Sequence, residues 1–166
     1  MAENQRIYQD RTFRLAAHRN VLIAVWSDAP TLAQARILHR EADQFTKRTS
    51  SANNGAAGPG QAFVNMVTGG VPVFSEPVRE ELVKVIKSTN ITLGAAHILL
   101  VSGMAGSAVR AFLSTVLLVA RPKAPNRVFA EVPDAVSWLL VRLGGTQAQW
   151  TGNELRDAIE AARRDR

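Results

Sequence analysis

Apolar positions in this chain fall into short runs and periodic stretches that take turns along its length. Arg11 to Ala17 alternates, with Phe13 and Leu15 set against Thr12 and Arg14, the period of a half-buried strand. Val21 to Trp26 (VLIAVW) is an unbroken run of branched and aromatic side chains, which predicts a strand covered on both faces. His18-Arg19-Asn20 between them predicts a tight turn and so an opening hairpin. Thr31 with Gln34 three residues on has the form of a capping box. Leu32, Ala35, Leu38, Ala42 and Phe45 then recur at steps of three and four, predicting a helix to about Arg48.

Beyond that helix, residues 49 to 60 (TSSANNGAAGPG) have nothing to bury and read as a flexible loop. Gln61 to Val67 predicts a strand, and Ser75 with Glu76 and Pro77 predicts a helix start whose inner stripe is Val78, Leu82, Val85 and Ile86. Ala95 to Val101 reads as a buried strand, Gly106 to Ala120 as a helix, Arg127 to Val132 as a short strand and Asp134 to Leu143 as a helix. Asn153 to Arg164 reads as a last helix carrying only Leu155, Ile159 and Ala162 as its stripe. The order strand, strand, helix, then strand and helix three times, predicts an α/β fold. Its sheet is mixed and mostly parallel, of about five strands, with helices packed against it. The expected organisation is a mobile segment at 1–10, one domain at 11–145 containing the loop 49–60, and an appended C-terminal helix within 146–166.

Composition supports a single globular unit: 166 residues, 46% hydrophobic and 20% charged. A chain this long buries roughly 70% of its unfolded surface, so it needs no disulfide or metal staple. There is no Cys, which excludes disulfides, thiolate metal sites and cysteine nucleophiles. The first twenty residues lack the short apolar run of a signal peptide, and the expected location is the cytoplasm. The net charge of +6 raises the question of nucleic acid. The excess is spread along the chain, however, and its densest piece is only Arg121, Lys123 and Arg127. Such a basic patch reads as a solvated face rather than a specific nucleic-acid site.

Arg127-Val128-Phe129-Ala130, followed by Pro133-Asp134-Ala135-Val136-Ser137-Trp138-Leu139, resembles the closing strand and helix of SpoIIAA-like domains, and the order of elements is that of the STAS domain. Val109 to Leu113 is similar to bacterial members of the same broad group. The resemblance covers Arg11 to Leu143 in architecture and about thirty residues in pattern. It implies a non-enzymatic, bacterial regulatory domain that binds another protein, in a family switched by phosphorylation of a Ser after the third strand. Here Val67-Thr68-Gly69-Gly70 occupies that turn without the family's acid or Ser pair, and Thr68 and Ser75 are the remaining candidates. Both also have plain structural readings, Thr68 as a turn residue and Ser75 as a helix cap.

Candidate chemistry is sparse. His18, His39 and His97 fall on a turn, a helix and a strand without metal-ligand spacing, so neither metal nor cofactor is expected. His39 reads as solvated and His97 as a hydrogen-bonded core residue. Glu80-Glu81 reads as a solvated pair. Thr68-Gly69-Gly70 and Ser102 to Ser107 are glycine-bearing turns that lack the phosphate-binding forms. The helix from Gly106 to Ala120 is apolar around too much of its circumference for one buried stripe. Phe112, Leu113, Val116, Leu117 and Leu118 therefore become candidates for a homodimer interface, with the C-terminal helix as the other means of covering that surface. The stretch is too short and interrupted for a membrane span. The alternative function is a small-molecule or lipid-binding domain of the same core. A protein-binding module should show an exposed patch and no closed pocket, whereas a ligand carrier should show an apolar cavity of several hundred cubic ångströms.

Overall fold

A computed structural model of the chain describes residues 4–51, 60–71, 75–146 and 148–164. The elements are β1 (Gln5–Gln9), β2 (Phe13–His18), β3 (Val21–Trp26), α1 (Leu32–Ser51), β4 (Ala62–Val67), α2 (Glu76–Ser88), β5 (Gly94–Leu99), α3 (Gly103–Ala120), β6 (Asn126–Phe129), α4 (Val132–Leu143) and α5 (Gly152–Arg164). The strands form one mixed sheet in the order β1-β2-β3-β4-β5-β6. The pairs β1-β2 and β2-β3 are antiparallel; β3-β4, β4-β5 and β5-β6 are parallel.

Because sheet order equals chain order, the three parallel crossovers all step the same way, and one handedness puts their helices on one face. That face packs Phe13, Leu15, Leu22 and Trp26 under Leu38, Ala42 and Phe45 of α1. α2 lies between α1 and α3 rather than on the strands, and α3 packs on α2 and β5. The opposite face belongs to α4 and α5, where Ile23, Val64 and Ile98 meet Leu139, Leu143, Leu155 and Ile159.

The sixth strand corrects the expected count of about five. Residues 1–10 were expected to be mobile, but 5–9 pair with β2 as an edge strand with a register shift between Arg6 and Tyr8. QRIYQ has only Ile7 and Tyr8 to bury, so its order comes from the ladder of β2 and from Asp10. The Asp10 carboxylate accepts the Thr12 and Phe13 amides at 2.8 Å each and Gln34 Nε2 at 2.9 Å. The capping box of α1 forms as its sequence predicts: Gln34 N–H donates to Thr31 Oγ1 at 3.2 Å and Thr31 N–H to Gln34 Oε1 at 3.0 Å. α1 runs three residues past Arg48, with Thr49 and Ser50 hydroxyls donating to carbonyls of the preceding turn, so it takes up the start of the expected loop. Residues 52–59 of that loop lie outside the described residues.

α5 is built into the core rather than appended. Leu155 and Ile159 are fully buried. A second capping box, Thr151 with Glu154, starts the helix, and Arg19 reaches across to Glu154 at 2.9 Å. The helix lies across the sheet from α3, so it does not cover α3.

Candidate functional site

β4 is a central strand, yet Phe63, Asn65 and Val67 are only half-buried while Ala62, Val64 and Met66 are buried. The reason is a cavity of about 390 Å³ between the α1–α3 face of the sheet and α2, which is held off the strands by its two neighbouring helices. Leu82, Val85 and Ile86 roof it, Phe112, Leu113 and Val116 wall it, and Ala95 on β5 leaves room that a larger side chain would fill. Asp28 to Pro30 and Gly69-Gly70 line it at the ends of β3 and β4. Residues 87–91 and 121–124 line it at the opposite end, before β5 and β6.

One hydrogen-bonded chain crosses the strands facing this cavity. Trp26 Nε1 donates to Asn65 Oδ1 at 2.9 Å, Asn65 Nδ2 to His97 Nδ1 at 3.1 Å, His97 Nε2 to Asn126 Oδ1 at 2.8 Å, and Asn126 Nδ2 to the Ala124 carbonyl at 2.9 Å. The direction of donation follows from chemistry. An indole N–H only donates, so Asn65 must turn its oxygen to Trp26 and its amide nitrogen to His97, which leaves His97 Nδ1 as acceptor and Nε2 as donor. His97 is 3% exposed, and burial lowers its pKa, so the neutral imidazole is the form that fits. Asn65 and Asn126 are half-buried and each keeps one amide hydrogen unused by the chain. The cavity is therefore apolar with a narrow polar floor.

Three cations, Lys87, Arg121 and Lys123, line the end near β5 and β6; Asp28 is the acid among the lining residues, at the other end. None of the three cations has an ion pair or hydrogen-bonding side-chain partner among the described residues. They sit where α2 and α3 end, and two helix C-termini contribute about half a negative charge each, so roughly two positive charges remain.

The residues that the sequence singles out do not gather in one place. Arg121 and Lys123 belong to the cavity mouth, while Arg127 points to the other face of the sheet over Phe129, 5.5 Å from its ring; the expected patch is split by the alternation of β6. Phe112, Leu113 and Val116 are buried, which removes them from any interface. Leu117 is half-buried, and Leu118 is 75% exposed. α3 itself has the length and apolarity of a membrane-crossing helix, with 18 residues at mean hydropathy 1.6, but one side of it is built into the fold. Thr68 is tied to the Trp26 carbonyl through its hydroxyl at 3.1 Å. Ser75 precedes α2 but its side chain makes no capping bond. Gly69 and Gly70 serve close approach: a Cβ on Gly70, at φ +84°, would stand 2.6 Å from Ala29 N. Ser102 to Ser107 is the N-cap and first turn of α3, and a Cβ on Gly106 would stand 2.2 Å from the Val101 carbonyl oxygen.

The histidines differ from their sequence reading in two cases. His18 ends β2 and is 6% exposed; burial, then Arg19, lowers its pKa. His39 is half-buried rather than freely solvated. Its Nδ1 lies 2.7 Å from Glu81 Oε1 and its Nε2 2.8 Å from Ser88 Oγ. Glu81 is 9% exposed rather than solvated, and the His39 hydrogen bond, helped by Lys84 at 3.6 Å, holds its carboxyl below the usual range. The described residues contain no group of three metal-ligating side chains. Asn65 and Asn126 are the site residues that periodicity does not single out; Asn65 has a signal, an amide in an otherwise apolar strand, whereas Asn126 stands beside Arg127 at the start of β6. No protein-family model matches this chain, and neither a curated protein nor a solved structure does.

Proposed function

We propose that this chain binds a small amphipathic carboxylic acid, its apolar body under α2 and its acid group toward Lys87, Arg121 and Lys123. The observation that carries this reading is the cavity of about 390 Å³ with apolar walls and, at one end, cations that have no ion pair among the described residues. That volume is within the range of ligand sites, and at about 30 Å³ per water-sized group it holds roughly a dozen non-hydrogen atoms, the size of decanoate. Asn65 and Asn126 supply polar atoms on the floor for a second oxygen or nitrogen of the ligand.

The test is displacement of a fluorescent fatty-acid probe by decanoate and by methyl decanoate. Decanoate should compete at least tenfold better, and the difference should shrink at high salt and in the Lys87→Ala/Arg121→Ala/Lys123→Ala variant. Equal competition by acid and ester would discard the acid, and absence of saturable probe binding would discard the reading.

A second reading, a STAS-like regulatory domain that works by binding protein, is favoured by the outer side of α3. There Met104, Leu118 and Val119 are 93%, 75% and 47% exposed. On this reading a second copy of the chain covers α3, and the two functions are compatible because the cavity lies on the inner side of the same helix.

A further inference from the structure

We propose that Ser88, His39 and Glu81 form a nucleophile, base and positioning acid that hydrolyse an ester whose acyl chain occupies the cavity. This inference rests on the cavity reading and adds a reaction to it. Ser88 Oγ is 2.8 Å from His39 Nε2, and His39 Nδ1 is 2.7 Å from Glu81 Oε1, with the base borne by α1 and the other two groups by α2. A carboxylate only accepts, so His39 Nδ1 carries the hydrogen and Nε2 of the neutral ring is left to accept from the Ser88 hydroxyl. That is the arrangement by which a base activates a hydroxyl while a third group fixes its tautomer.

The placement suits the chemistry. Glu81 and Ser88 are two helical turns apart on one side of α2 and bracket His39. The His39–Glu81 pair alone would tie the helices together; Ser88 is exposed and is the one member of the three that lines the cavity, with His39 and Glu81 behind it. Asn90 and Ile91 also line the cavity, and their backbone N–H groups, which have no hydrogen-bond partner among the described residues, are the donors nearest in sequence that an oxyanion could use. The C-terminal end of α2, about half a negative charge, opposes that oxyanion, and Lys87, Arg121 and Lys123 outweigh it.

In the reaction Ser88 Oγ attacks the ester carbonyl carbon and its proton passes to His39 Nε2. The carbonyl electron pair moves to oxygen and returns as the bond to the alcohol oxygen breaks, and His39 gives the proton to that oxygen. Water then attacks the acyl-Ser88, losing a proton to His39, which returns it to Ser88 Oγ. One ester and one water become one acid and one alcohol, and the acid is the class of molecule proposed to bind the cavity.

The experiment treats the full chain with a fluorophosphonate and, separately, with p-nitrophenyl decanoate. The expected results are one covalent addition mapped to Ser88 and hydrolysis above the buffer rate. Ser88→Ala should abolish both while still binding decanoate. Glu81→Gln should lower kcat at least tenfold with KM unchanged and alter the acid limb of the pH profile. No addition at Ser88, or hydrolysis unchanged by Ser88→Ala, overturns the triad. Decanoate binding measured on the same protein separates the two proposals: binding without hydrolysis rejects only the triad, and absence of both rejects the cavity reading as well.

Discussion

Replacing His97 by Gln tests the hydrogen-bonded floor. Gln keeps one acceptor and one donor for Asn65 and Asn126 but cannot titrate. In the wild type the folded state holds His97 neutral, because burial lowers its pKa from 6.5 and a proton on Nδ1 would face the Asn65 amide that donates there. The unfolded chain takes up that proton near 6.5. A histidine whose folded pKa is depressed contributes stability that is complete above 6.5 and is lost as pH falls below it. Between pH 8 and pH 5.5 this one group loses stability toward a ceiling of about 1.4 kcal/mol, the free energy of one proton binding to the unfolded chain one unit below its pKa. Urea unfolding of wild type and His97→Gln at the two pH values isolates the term, since His18 contributes equally to both proteins. The stability difference between them should shift in favour of the variant at pH 5.5, by no more than about 1.4 kcal/mol. A difference independent of pH would refute the neutral, single-direction chain.

Glu154 is pulled down to about 2 by the Arg19 hydrogen bond and by Thr151, so its contribution is present above 4.5 and disappears as pH falls toward 2; thermal melts of Glu154→Gln should lack that acid-side decline. Leu118→Glu should leave the melting temperature within a few degrees, because the side chain is 75% exposed, and should convert a wild-type dimer to a monomer in light scattering; a monomeric wild type refutes the second-copy contact. Ser75→Ala should cost less than the roughly 1 kcal/mol of a working N-cap, since its hydroxyl makes no capping bond, and a larger loss by chemical denaturation would contradict that geometry.

Periodicity is enough to place every helix and all but one strand, because burial demands are local: VLIAVW can only be a covered strand, and Leu38, Ala42 and Phe45 can only be one face of a helix. β1 is not legible because QRIYQ carries no periodic apolar signal and is ordered by its partner strand. The excess of apolar residues on α3 is visible in the sequence, but its angular sorting is not. Phe112 and Val116 turn toward α2 and the cavity, while Leu118 faces away, a division set by where α2 stands. The cavity itself comes from a helix held off a sheet, which no stretch of sequence encodes alone. Asn65 and His97 leave a trace, one polar side chain in each of two apolar strands, and Asn126 opens β6 beside Arg127, but only the parallel register brings the three into one chain. His39, Glu81 and Ser88 leave less, since 49 and 42 positions separate the bonded pairs.

Whether the space beneath α2 is a ligand site is measured most directly by Ala95→Leu. Ala95 is a cavity-lining residue on β5, and the added atoms occupy the void without removing a polar group. Isothermal titration of decanoate into wild type should give one saturable site, and into Ala95→Leu an affinity at least tenfold weaker, while the melting temperature without ligand stays equal or rises. Equal affinity in the two proteins would place the ligand elsewhere and contradict a site beneath α2.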